Sequence, residues 1–319
     1  MNNQSFISIC IPAYKNIDYV KRLLDSIAIQ TYKNFEVIIT DDSSDSDIES
    51  LCDSYSHLFE LRYVKNLTNL NTPENWNEAV RHARYEWIKI MHDDDWLATP
   101  DSLLFFAQSI VSNPNAQFFF SSYSNVYDHC NRIQHMYLSA FWKRLLKGNQ
   151  EILISKNVIG PPSVTLYKKN HLLYDREMKY VVDIDFYTRY LEDAQWHYIN
   201  KPLIHVGISH AQVTKYTFGV AEVHLKESLM MLHKKSETIL KNIVVFDGWW
   251  RLMRNFKIKQ AADIQKIGFS AIIPPLLTKL ILFQSKIPSG LLSVGLFSKL
   301  MMSCCYLKIA AFKSFRNIS

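Results

Sequence analysis

The first 91 residues alternate between short apolar runs and stretches with a helical apolar period, and no other feature restricts the fold as strongly. "FISICIPAY" (6–14) is an Ile-rich run closed by a proline and reads as a buried strand. "IDYVKRLLDSIAIQ" (17–30) follows with apolar residues at 20, 23, 24 and 27, the i, i+3, i+4, i+7 repeat of one helix face. "FEVIITDDSS" (35–44) is a second buried strand that stops at charge, "DIESLCDSYS" (47–56) is helical in pattern, and "LRYVKN" (61–66) is a third strand. "PENWNEAVRHA" (73–83) opens with a proline at a first helical position, and "YEWIKIM" (85–91) is a fourth strand. This βαβαβαβ order predicts an α/β protein: a Rossmann-like, mostly parallel sheet with helices on both faces.

In open sheets of this kind ligands collect outside the carboxyl ends of the strands. Three polar clusters fall there, "PAY" at 12–14, "DDSS" at 41–44 and "HDDDW" at 92–96, so the pattern predicts that they converge on one crevice. Taken alone, Asp41–Ser44 also reads as a helix cap or Asx turn, and Asp93–Asp95 as a solvated acidic turn. Adjacent carboxylates repel, however, and a hard divalent cation, Mn2+ or Mg2+, accounts for three of them at a strand end through its preference for oxygen ligands. Because Mg2+ sites combine one or two carboxylates with substrate phosphates, a metal–diphosphate is the ligand class that follows.

Charge narrows the partners. The 319 residues are 48% apolar and 21% charged, an ordinary globular composition, but the net charge of +6 is uneven. From Lys241 onward there are twelve Lys/Arg against two acids, Asp247 and Asp263. The chain therefore divides into a body, 1–240, with a nucleotide half of about 1–100 and an acceptor half of about 101–240, and a basic, apolar, mainly helical region, 241–319. The cations sit among apolar residues instead of on a polar, aromatic-rich face, which argues against nucleic acid. They suit the surface of an anionic membrane, the alternative being a helical subdomain packed on the body. No window reaches the ~18 uninterrupted apolar residues of a membrane span, and the N-terminus has no signal-peptide pattern. The five cysteines lack C-x-x-C spacing. The expected location is cytoplasmic, with peripheral contact at the inner face of the plasma membrane. Only eight glycines occur and none forms a phosphate loop, which counts against P-loop and dinucleotide-binding proteins.

"ISICIPAYKNIDYVKRLLDSIAIQTYKNFEVIITDDSSDS" and "NLTNLNTPENWNEAVRHARYEWIKIMHDDDWL" together resemble the opening of family 2 glycosyltransferases of bacterial surface-polysaccharide type, inverting enzymes of the GT-A fold. The resemblance continues more weakly through "GPPSVTLYKKN" and "YVVDIDFYTRYLE" and covers roughly residues 5–210. It implies that Pro12, Ala13 and Tyr14 line a nucleotide pocket, with Tyr14 stacking on the base, that Asp41 contacts the base, and that Asp42 lies near the ribose. In the family's D-x-D position, His92 stands where the first aspartate often is. Asp94 is then the metal ligand, supported by Asp95 or by Asp93, the latter also placed with the nucleotide; a shifted alignment pairs Asp93 with Asp95. Trp76 stands where many members carry an arginine near the phosphates, so another cation must offset the diphosphate.

The resemblance places the catalytic base at Asp183 in "VVDID", with Asp185 as the fallback and a helix N-cap as a compatible second role for Asp183. His205 and His210 reach the metal or diphosphate, or are structural. The Q-x-x-R-W motif of processive synthases is absent after residue 200, which implies single-sugar transfer. The implied reaction is metal-assisted, inverting transfer from a nucleoside-diphosphate sugar, a UDP-sugar, to a hydroxyl of a glycan or lipid-linked acceptor in O-antigen- or capsule-like biosynthesis. The alternatives are a non-catalytic nucleotide-sugar-binding protein and a nucleotidyltransferase of similar fold.

Overall fold

Strands covered on both faces read as near-continuous apolar runs instead of alternating ones, and any polar residue in them needs a partner. β1 (Ile7–Ala13) and β2 (Phe35–Asp41) are buried at all seven residues each. The structure, a computed structural model, describes residues 5–128, 130, 132–208 and 219–311. Between these strands α1 (Ile17–Ala28) buries Val20, Leu23, Leu24 and Ile27, and Asn16 caps it by accepting from Tyr19 N at 3.2 Å. α2 (Asp47–Tyr55), β3 (Leu61–Lys65), α3 (Glu74–His82) and β4 (Trp87–Ile90) complete the alternation. Pro73 stands at the cap of α3, one residue ahead of the expected first helical position. The four strands are parallel in the order β3-β2-β1-β4, so the topological switch point lies between β1 and β4.

Beyond β4 the sheet becomes mixed. β5 (Trp96–Leu97), α4 (Ser102–Ser112), β6 (Phe118–Tyr127), β7 (Arg132–Met136), α5 (Ala140–Gly148), α6 (Ile152–Ser155), β8 (Thr165–Lys168), α7 (Val182–Tyr190) and β9 (Trp196–Ile208) follow in order. β8 is antiparallel to β4 and β6, β9 runs parallel to β6 and antiparallel to β5, and β7 pairs antiparallel with β6. Four residues separate β6 from β7, too few for the crossover that a parallel pairing needs. Parallel pairing thus links the first four strands and recurs between β6 and β9, while the other pairings of the nine-stranded sheet are antiparallel.

The chain forms two compact units. The first comprises Met1–Arg144, Val158–Met178 and Asp185–Gln212 and holds the sheet; the second comprises Leu145–Asn157, Lys179–Ile184 and Val213–Ser319. The second unit is built from α8 (Lys226–Lys235), α9 (Ile243–Asn255), α10 (Ala261–Gln265), α11 (Pro275–Gln284), α12 (Ser289–Ser293) and α13 (Gly295–Tyr306). Phe246, Trp249 and Trp250 of α9 form its centre, against Leu277 and Leu280 of α11 and Met302 and Cys305 of α13. The buried Trp250 donates from Nε1 to Ser298 Oγ at 3.0 Å, and its carbonyl accepts from Gln284 Nε2 at 2.9 Å. Among the described residues no helix is long and apolar enough to cross a membrane.

One buried acid organises the turn that leads into α7. Glu227 of α8 accepts from the backbone N–H groups of Lys179 (2.9 Å), Tyr180 (2.8 Å) and Val181 (3.1 Å). Removing it leaves three amides without their acceptor, which costs more than the net worth of the bonds themselves. Glu227→Ala is expected to lower the unfolding free energy, measured with urea, by about 2–3 kcal/mol. Glu227→Gln, which keeps one acceptor oxygen, is expected to lose less.

Candidate functional site

Hydrogen bonds tie the carboxyl ends of β1, β2 and β4 to one another. Ala13 O accepts from Asp42 N at 3.1 Å, and Lys15 N donates to Ser43 Oγ at 2.7 Å. Met91 N donates to Cys10 O at 2.9 Å, joining β1 to the end of β4, and the Tyr14 backbone lies close enough to the Asp93 carboxyl to favour its charged form. A left-handed turn at Lys15 (φ 61°) follows, and the Tyr14 ring stands 46% exposed while Pro12 and Ala13 are buried. The three clusters named from the sequence are therefore contiguous.

The two aspartates after β2 differ in what is left for a ligand. Asp41 is fully enclosed: Oδ1 accepts from Ser43 N (2.8 Å) and Ser43 Oγ (2.5 Å), Oδ2 from Tyr63 OH (2.8 Å) and Lys65 Nζ (3.3 Å). Those four donors use the acceptor capacity of a carboxylate. Asp42 Oδ1 accepts from Asn66 Nδ2 (2.8 Å) and Leu70 N (3.0 Å), and Oδ2 from Asn71 N (2.9 Å). Together they order the loop from β3 to α3.

After β4 two buried polar atoms, His92 Nε2 and Asp95 Oδ2, are left without a hydrogen-bond partner. His92, Asp94 and Asp95 each present one ligand atom, all within 4.8 Å of one another. That spacing is near the ~4.2 Å that spans opposite ligands of an octahedral Mg2+. Asp95 is 1% exposed; its Oδ1 accepts from Gly207 N at 3.1 Å, while Oδ2 has no hydrogen bond of normal geometry and lies 4.0 Å from His92 Nδ1. His92 Nε2 is likewise buried without a partner. Burial, then the Asp94 charge, push the Asp95 carboxyl well above its ordinary range. The same two causes raise Asp93 to about 7, and burial lowers the His92 imidazole. An orphaned buried oxygen, an orphaned buried nitrogen and crowded carboxylates fit a divalent cation, which would satisfy all three at once.

The two departures from the family pattern touch each other. The Trp76 ring of α3 lies 4.7 Å from the His92 ring, and its other neighbour is Tyr174, edge-on at 5.2 Å. Asn77, the next residue, fixes that region by exchanging two 2.8 Å hydrogen bonds with the backbone of Tyr174. His205 packs on Trp96 at 5.2 Å across the β5–β9 ladder and lies outside the His92–Asp94–Asp95 group. His210 falls outside the described residues.

Two cations at this site escape a reading of the sequence. Arg22, on α1, donates from Nη2 to the Asp94 carbonyl at 2.7 Å and stacks on Trp96, its guanidinium carbon 3.8 Å from the ring centroid. In the sequence it is only one of the polar positions of an amphipathic helix. Lys89 is fully buried within β4, where its Nζ donates to the carbonyls of Ser163 and Thr165, and burial lowers its pKa to about 7 against the pull of Asp95. The lone lysine inside "WIKIM" is the signal that could have found it.

On α7 the two acids of "VVDID" are held differently. Asp183, in the second unit, is partly exposed and accepts from Ile184 N (2.8 Å) and Asn157 Nδ2 (2.7 Å); burial raises its pKa to about 6. Asp185 is 2% exposed and its Oδ2 is clamped by Arg189 Nε (2.8 Å) and Nη2 (2.6 Å). Asp185 is thus held by a guanidinium, whereas the described donors to Asp183 are amides.

β9 passes against the acidic run at Gly207. A Cβ there would lie 2.4 Å from Asp94 O and 3.3 Å from Arg22 Nη2. Gly207→Ala is therefore expected to displace the Asp94 peptide, destabilising the fold by about 1–3 kcal/mol and weakening Mn2+ binding, both readable by thermal unfolding with and without the ion.

Comparison with known proteins bears on the family and the fold. Residues 8–172 match the sequence profile described as "Glycosyl transferase family 2". An uncharacterized glycosyltransferase of Haemophilus influenzae is 27% identical over 204 residues, 62% of this chain and 66% of that protein. The putative colanic acid biosynthesis glycosyl transferase WcaA of Escherichia coli is 29% identical over 197 residues, 59% of this chain and 67% of that protein. Among solved structures, Staphylococcus aureus TarS 1–349 in complex with UDP has a TM-score of 0.60 at 17% identity, covering 98% of this chain and 92% of that one. The Pyrobaculum calidifontis mannosyltransferase PcManGT in complex with GDP-Man and Mn2+ has a TM-score of 0.55 at 16% identity, covering 100% and 89%. The sheet with its surrounding helices is the GT-A fold, and the chain belongs to glycosyl transferase family 2.

Proposed function

We propose that this family 2 glycosyltransferase moves one sugar from a nucleoside-diphosphate sugar, a UDP-sugar, to a hydroxyl of a glycan or lipid-linked acceptor, with inversion and with the help of a divalent cation. The observation that carries the reading is the His92–Asp94–Asp95 cluster, with His92 Nε2 and Asp95 Oδ2 buried and unpartnered, beside Tyr14 and Asp93 at the sheet's switch point. Structures of similar fold are of complexes with UDP, with UDP-GlcNAc, and with GDP-Man and Mn2+. The relation to a colanic acid glycosyl transferase supports a polysaccharide pathway.

In this reading the base stacks on the exposed Tyr14 ring over the floor made by Pro12 and Ala13. Asp41 reaches a base N–H by giving up its longest contact, the 3.3 Å bond from Lys65. Asp42 offers Oδ2, which accepts one described protein donor, to a ribose hydroxyl. His92, Asp94 and Asp95 would hold Mn2+ or Mg2+, which when bound offsets the charge of the diphosphate as a Lewis acid. Arg22 supplies a fixed positive charge at the Asp94 carbonyl where Trp76 offers none. Asp183 takes the proton from the acceptor hydroxyl as that oxygen attacks the anomeric carbon opposite the departing diphosphate. An imidazole nitrogen in the donor set favours Mn2+ over Mg2+.

Three measurements test this. Asp94→Ala is expected to abolish the Mn2+-dependent part of UDP binding in calorimetry; binding that never depended on metal would overturn the metal site. Asp183→Asn is expected to bind UDP normally and lose about 100- to 10,000-fold in transfer rate; full activity in that variant rejects the assignment. A base must be unprotonated to act, so with the Asp183 pKa near 6 the wild-type kcat/KM is expected to climb as pH rises through about 6 and then level. In Asp183→Asn that rising limb should vanish.

A further inference from the structure

The outer face of α13 and the turn after it combine exposed leucines, which the packing of the helical unit does not bury, with flanking lysines. The inward positions Ser298, Met302 and Cys305 are buried. On the opposite side Leu296, Leu300 and Leu307 are 86%, 58% and 56% exposed. Leu296 and Leu300, four residues apart, share one stripe of α13 about 40° wide at ~100° per residue, and Leu307 opens the π-helical turn Leu307–Ala311 that continues the helix. Lys299 and Lys308 are exposed on either flank of that stripe, and α12 leads into it with Leu291 and Val294 also exposed. From Ile264 to the end of the sequence there are seven Lys/Arg and no acid. The one described acid paired with these flanks is Asp247, 2.8 Å from Lys299 Nζ.

We infer that this face docks on an anionic lipid bilayer, Leu296, Leu300 and Leu307 entering the boundary between headgroups and acyl chains while Lys299 and Lys308 reach the lipid phosphates. Charge complementarity selects the occupant. A second copy of the same face would set lysines against lysines, whereas a negatively charged surface pairs with both flanks. Lysine suits this position because its long stem covers apolar surface while the ammonium stays in the wet layer. With twelve residues α13 is about 18 Å long, too short to span the hydrocarbon core, so it lies in the plane of the interface. The inference rests on the membrane reading of the C-terminal region and not on the transfer chemistry, so the two can fail separately.

The test is flotation of the full chain with vesicles of phosphatidylcholine alone and of phosphatidylcholine mixed with phosphatidylglycerol. The wild type is expected to float with the anionic vesicles several-fold more than with the neutral ones, and to detach as salt is raised. The triple variant Leu296→Ser, Leu300→Ser, Leu307→Ser should lose at least about tenfold in bound fraction. The pair Lys299→Gln, Lys308→Gln should lose the anionic preference. Each variant is first checked for an unchanged melting temperature and UDP-induced stabilisation, so that neither misfolding nor a failed nucleotide site passes for lost docking. Wild type that stays with the buffer, or a triple variant that floats as well as wild type, overturns the inference. So does sedimentation showing a wild-type dimer that the triple variant turns into a monomer, which would assign the face to a second copy.

Discussion

A carboxylate withdrawn from water has to be met by donors or by a cation, and the arrangement around the strand ends is largely an answer to that requirement. Glu36 receives Ser8 Oγ and the backbone and side chain of Arg84; Asp41 receives four donors, Asp42 three and Glu227 three. These acids fasten loops to the sheet and helices. Asp95 departs from the pattern: Oδ1 accepts from Gly207, while Oδ2, 4.0 Å from His92 Nδ1, has no hydrogen bond of normal geometry.

The N-terminal half was legible because its physics is local. Apolar runs and a helical period mark β1 to β4 to within a residue or two, and the Asp and Ser residues that stop the strands fall where the chain leaves the core. The second half was less so. Whether "AQFFFSSYSNVYD" pairs parallel or antiparallel, and with which strand, depends on residues 45 to 49 positions away in β8 and 78 to 81 positions away in β9, as its register shows. A two-residue strand such as Trp96–Leu97 has no pattern of its own; it exists because β9 runs beside it. Arg22 and Lys89 carry no local signal of their neighbours, and neither does Glu227, whose partners lie 46 to 48 residues upstream.

Spatial contact also gives sense to residues that look like isolated oddities. Trp76 and His92 stand sixteen positions apart, yet their rings meet at 4.7 Å. An aromatic in contact with an imidazole limits how the ring can turn, and so fixes which edge it offers to Asp94 and Asp95. Burial keeps that imidazole neutral, the form in which nitrogen can act as a ligand. Lys89 adds a buried positive group on the strand that carries the acidic run, partly compensating a concentration of negative charge that would otherwise oppose folding.

Glu227 has a consequence for how a chain like this can be recombined. The backbone amides it receives belong to the segment just ahead of Asp183, while the glutamate itself belongs to the helices that follow the sheet. A cut anywhere between residues 181 and 227, even one that respects every strand and helix, separates an acid from the peptides it holds. The C-terminal helices are therefore not a detachable module. A hybrid enzyme that borrowed them from a relative would have to borrow the turn before α7 as well, or supply a carboxylate at the same place.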